Sequence, residues 1–121
     1  MKFILLSSLI VVAVLCVVCA AKYTMLKLQV AFADGQVAIF EEMEASANST
    51  IDPRQMSGKL EYAVNYYPSG SKQTKGTQLD RIVETARSNS IAAIIARLRT
   101  TTGKDFGNDP QQWLKEYPPS H

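Results

Sequence analysis

Phe3–Ala21 reads FILLSSLIVVAVLCVVCAA, nineteen residues without a charge and with two serines as the only hydroxyl-bearing side chains. As a helix this stretch is about 28 Å long, close to the hydrocarbon thickness of a bilayer. Lys2 and the amino terminus place positive charge ahead of it. Residues 1–21 therefore read as a signal anchor or a signal peptide, and either reading carries the rest of the chain across a membrane. Small residues at Cys19, Ala20 and Ala21 suit cleavage near Ala20, which would leave a secreted or periplasmic protein. Against cleavage stand the length of the apolar run and the absence of a helix breaker. The first expectation is accordingly a single-pass membrane protein with its N-terminus inside and its domain extracytoplasmic. Lys22 and Lys27 on the far side weaken the charge bias that sets this orientation.

Cys16 and Cys19 are the only cysteines, and both lie in the apolar span. A disulfide framework for the exported part is excluded, since that part holds no thiol. The CxxC spacing lacks the βαβ context that redox chemistry needs. The chain has 121 residues and a formal charge of +2. Beyond the span the charges nearly balance, and Arg81, Arg87, Arg97 and Arg99 alternate with Asp80 and Glu84. That is no footprint for nucleic acid. The remaining hundred or so residues suffice for one small domain.

Residues 22–47 carry apolar side chains at Leu26, Val30, Ala33, Val37, Phe40 and Met43, in steps of three and four. This predicts a helix that is possible to read as continuous with the anchor. The Asp34-Gly35 pair between alternating apolar residues supports a rival β-hairpin over residues 24–40. Glu41, Glu42 and Glu44 read as a solvated acidic face, and Asn48-Ser49-Thr50 as a polar break that also matches a glycosylation sequon.

Residues 48–121 read as a small helical domain with a folded-back C-terminal tail. Asp52-Pro53 announces a helix with Met56, Leu60, Ala63 or Val64, and Tyr67 on its apolar face. Gly58 in its first half invites close approach by another helix, and Pro68 ends it. SKQTKGTQ, Ser71–Gln78, reads as a basic loop, in the wrong order for a phosphate-binding motif. A long helix follows over about Gln78–Thr100, with Leu79, Ile82, Val83, Ala86, Ser90, Ile91, Ile94, Ile95 and Leu98 on one broad face. Ser88-Asn89-Ser90 lowers helix propensity in its middle and predicts a split there. Arg81, Glu84 and Arg87 fall outside the stripe and read as a solvated charged face, in which Asp80 and Glu84 form a like-charged pair one turn apart that Arg81 and Arg87 offset. Gly103 is placed for a left-handed cap, Asn108 or Asp109 for the N-cap of a last short helix, and Pro110 for its first residue. Phe106, Trp113, Leu114 and Tyr117 are expected to fold back on the long helix, with Asp105 bonding the turn around Gly107. The fold class is thus all-α, an N-terminal transmembrane or signal helix followed by three to four helices.

The run AAIIARLRTTTGKDFGNDPQQWLKEY, Ala92–Tyr117, resembles the ends of HEAT-like helical segments in exported or membrane-associated planctomycete proteins. There a helix ending in a basic turn is followed by TGKDFGxDPxxW, matched here by Thr102–Pro110 and Trp113. The resemblance covers about a fifth of the chain and implies a helical-hairpin scaffold that binds protein partners. The chain departs from that pattern in length, since one or two helix pairs cannot form a stacked array.

No catalytic, metal or cofactor constellation stands out. The sole histidine, His121, has no nucleophile or base beside it in sequence. The expectation is a non-enzymatic interaction or structural module with protein partners, without cofactor or small-molecule substrate. Its alternatives are a subunit of a larger membrane assembly and, third, an exported enzyme or enzyme accessory. Tyr62, Tyr66, Tyr67 and Trp113 are the candidate interaction surface, because large amphipathic rings serve such surfaces as well as core edges.

Overall fold

A computed structural model of the chain describes residues 1–66 and 73–120. Residues 67–72, with Tyr67 and the Pro68 expected to end the second helix, and His121 lie outside the described residues. Four helices follow one another: α1, Lys2–Asn48; α2, Pro53–Tyr66; α3, Gln78–Thr102; and α4, Pro110–Glu116. The protein is all-helical among its described residues, with one apolar N-terminal helix long enough to cross a membrane. The contacts divide the chain into two units, Met1–Phe32 and Ala33–His121.

The first unit is helix throughout from Lys2, and every one of its side chains is exposed. Ser7 donates its hydroxyl to the Ile4 carbonyl at 2.9 Å, and Thr24 to the Ala20 carbonyl at the same distance. The two hydroxyls are thus satisfied within the helix itself, as a polar group in an apolar setting must be.

In the second unit the hairpin alternative for residues 24–40 gives way to helix. Gly35 sits in open space within α1, where it costs about 1 kcal/mol against alanine. The three-four spacing outweighs that cost, since it turns Ala33, Phe40 and Ala47 into the core. Fully burying a ring such as Phe40 is worth about 2–3 kcal/mol.

α2 starts as its sequence dictates. The Asp52 carboxylate accepts the Arg54 N–H at 3.0 Å, and Pro53 takes the first helical position. Met56, Leu60 and Ala63 are buried on one face. What lies over Gly58 is the Pro119 side chain, 3.9 Å from where a Cβ would stand, rather than a crossing helix. α3 is capped by Thr77, whose hydroxyl accepts the Asp80 N–H at 3.3 Å, while the Asp80 carboxylate reaches back to the Gly76 N–H at 3.0 Å. Asp80 is therefore a buried capping residue and not one half of an exposed like-charge pair with Glu84.

The expected split of α3 at Ser88-Asn89-Ser90 does not occur. Ser90 is buried and donates its hydroxyl to the Phe40 carbonyl at 2.9 Å, so a partner on α1 occupies the group that would compete with the helix. The helix also runs on through the threonines to Thr102, with Thr100 and Thr102 bonding the carbonyls four residues back. Gly103, at φ 68°, ends it in the left-handed conformation and donates its N–H to the Arg99 carbonyl at 3.0 Å.

Arg87 corrects the expectation of a wholly solvated charged face on α3. Its guanidinium donates to the carbonyls of Ala63 at 3.2 Å and Val64 at 2.7 Å, and pairs with Glu84 at 2.7 Å. It thereby satisfies carbonyls in the last turn of α2 and places a cation at the negative end of that helix. Arg87→Met, which keeps the stem, is expected to destabilise the second unit by about 2 kcal/mol, read as a shift of the denaturation midpoint. A shift below a tenth of the midpoint would show the two carbonyls to be satisfied by water instead.

Candidate functional site

Tyr62 and Tyr66 stand one turn apart on α2, so they present their rings on the same side of the helix. The rings stack with centroids 5.2 Å apart and planes 17° from parallel. Tyr66 also meets Phe40 edge to face at 5.7 Å. One tyrosine is thereby fixed to the core, and it in turn fixes the other, which is 45% exposed. Together they form one wall of a groove of 920 Å³ between α2 and the C-terminal part of α1. Ile39 and Met43 supply further apolar surface, Glu42, Lys59 and Glu61 supply charge, and Gln55 and Asn65 supply amide groups. Ser120 borders the same groove.

Such a surface combines rigid amphipathic rings with adjustable polar groups, the composition suited to recognising another polypeptide. Among the described residues no cluster of three or more His, Cys, Asp or Glu side chains has the geometry of a metal site.

Trp113 belongs elsewhere. It is fully buried, donates its indole N–H to the Gly107 carbonyl at 2.9 Å, and meets Phe106 edge to face at 4.9 Å. It is the anchor by which the tail returns, and none of its surface is exposed. The return itself rests more on α2 than on α3. α3 alone was the expected support, because only its apolar stripe was broad enough in sequence to suggest one. Tyr67, the remaining aromatic candidate, lies outside the described residues.

The loop between α3 and α4 is built around Arg99. Its guanidinium donates to Asp105 at 2.9 Å and, at 3.2 Å each, to the Gly107 carbonyl and the Asn108 side chain. Asp105 also accepts the Gly107 N–H at 2.9 Å, as its place in the turn led one to expect, and Gly107 has φ 78°. Asp109 accepts the Gln111 N–H at 3.0 Å and opens α4. Both aspartates are thus structural. The Gly107 N–H first, and the Arg99 guanidinium second, hold the Asp105 carboxyl below its ordinary value. Because its folded-state pKa is lowered, Asp105 stabilises the loop above its unfolded value, near 3.9, and loses that effect as pH falls through the lower folded one. The Gly107 amide resonance is expected to titrate with a midpoint below the ordinary aspartate value. In Asp105→Asn that titration should vanish; a midpoint at or above the ordinary value would contradict the pairing.

No protein-family model, no curated protein and no solved structure matches the chain.

Proposed function

We propose that the chain is a membrane-tethered, non-enzymatic helical module that presents the Tyr62–Tyr66 groove to a protein partner on the extracytoplasmic side. The observation that carries this reading is the groove itself. A stacked tyrosine pair, with Tyr66 held by Phe40 and Tyr62 left open beside Glu42, Lys59 and Glu61, has the chemistry of a polypeptide-binding surface. The uncharged apolar stretch of α1 supports the tether. Lys2, ahead of the span, supports an inside N-terminus. The HEAT-like pattern of Thr102–Trp113 is in keeping with a partner-binding helical scaffold.

A photo-crosslinking residue in place of Tyr62, with Thr100 as an exposed control position, tests the reading in native membranes washed with alkaline carbonate. The expected result is a discrete protein adduct from position 62, none from position 100, and an intact N-terminus in the pellet. Equal labelling at both positions would refute the groove. A soluble chain beginning near Ala21 would refute the tether and leave the groove standing.

A further inference from the structure

Past Ala21, α1 continues to expose large apolar side chains. Tyr23, Met25, Leu26, Leu28, Val30 and Phe32 are each 48–62% exposed, and burial begins abruptly at Ala33. At 100° per residue, Tyr23, Leu26 and Val30 form one stripe, while Met25, Leu28 and Phe32 form a second on the nearly opposite side. One docked helix, or a closed dimer, covers a single stripe and leaves the other in water. A bilayer covers both.

We infer that the lipid-covered part of α1 extends beyond the apolar span to Phe32, with anionic headgroups as the partner of residues 22–32. The inference rests on the membrane tether proposed above. Thirty helical residues from Phe3 to Phe32 measure about 45 Å, the thickness of a bilayer with its headgroup layers rather than of its hydrocarbon alone. The charge agrees. Lys2, Lys22 and Lys27 are the only ionisable acid–base side chains of formal charge before Asp34, the first acidic residue in the chain. The Lys27 ammonium lies 5.1 Å from the centre of the Tyr23 ring, one turn nearer the span. Its stem therefore runs back along the helix toward the bilayer, and a tyrosine with a lysine folded over it is suited to the headgroup layer. The Thr24 hydroxyl, bonded to the Ala20 carbonyl, makes no demand on water.

The test uses the full chain in vesicles of phosphatidylcholine and phosphatidylglycerol. Cys16 and Cys19 are replaced by alanine, and single spin labels are placed by Leu15→Cys, Leu28→Cys, Val30→Cys or Thr100→Cys. Collision rates with oxygen, which favours lipid, and with a water-soluble nickel chelate are compared. The expected oxygen-to-nickel ratio is several-fold higher at positions 28 and 30 than at 100, and highest at 15. Adding Lys27→Glu should lower the ratio at 28, and more so in phosphatidylglycerol vesicles than in pure phosphatidylcholine. Ratios at 28 and 30 equal to that at 100 would overturn the inference while a lipid-like ratio at 15 keeps the tether. Shielding from both reagents with spin–spin broadening would overturn it in favour of a second copy of this chain. A water-like ratio at 15 would remove the tether and the inference together.

Discussion

Trp113→Ala is expected to remove about 3–5 kcal/mol from the stability of the second unit, the usual range for truncating a fully buried tryptophan. Domains of this size have in all about 5–15 kcal/mol, so the variant sits at or near the edge of folding. The loss combines several contacts. The indole fills the interior beneath the return of the tail, packs edge to face on Phe106, and ties its N–H to the Gly107 carbonyl. Trp113→Phe separates these contributions. It keeps an aromatic ring and gives up the hydrogen bond, for an expected loss of about 1–2 kcal/mol including the smaller volume. Thermal unfolding of the full chain in detergent, followed by circular dichroism, reads both. The alanine variant should lose at least about 12 °C, at roughly 4 °C or more per kcal/mol. A loss under a few degrees would mean that the tail does not close the core.

Phe40→Ala should cost a similar 3–5 kcal/mol by a different route. Phe40 has no exposed surface, and it supports Tyr66, which supports Tyr62. Its removal opens a cavity beside α2 and withdraws the edge contact that orders the groove. The carbonyl of residue 40 still accepts the Ser90 hydroxyl, so the damage is confined to the side chain. Phe40→Leu is expected to lose only about 1–2 kcal/mol and to retain the packing of α1 on α3. It should nonetheless weaken any crosslink formed from position 62, because an aliphatic side chain does not orient the Tyr66 ring as an aromatic edge does. Full crosslinking from a stably folded Phe40→Leu protein would show that the tyrosine pair orders itself.

Local signals carried most of the architecture. Asp52-Pro53, Asp109-Pro110 and Gly103 each need only their own neighbours to set a helix boundary, and each stands where its chemistry requires. The apolar phase of residues 33–47 was equally legible, and it prevailed over the turn signal at Asp34-Gly35. What escaped the sequence depends on partners far along the chain. Ser90 looks like a helix weakener until Phe40 supplies an acceptor. Arg87 looks solvated until the end of α2 arrives beside it. Asp80 was misjudged for a nearer reason: Thr77 and Gly76 mark a cap only once the start of α3 is known. For the groove, the one-turn spacing of Tyr62 and Tyr66 foretold a shared face. Nothing local distinguished their openness from the burial of Trp113.

The core of the second unit draws on Phe40, from the first helix, and on Trp113, from the last. A ribosome delivers these two side chains at opposite ends of the domain's synthesis. Helices can form as each emerges, but the interior cannot close until the final helix has left the exit channel. While the domain waits, the parts of α2 and α3 on which α4 rests are without that cover. The late arrival of Trp113 therefore makes the closing of this core a step that follows the synthesis of α4, separate from the formation of the helices before it.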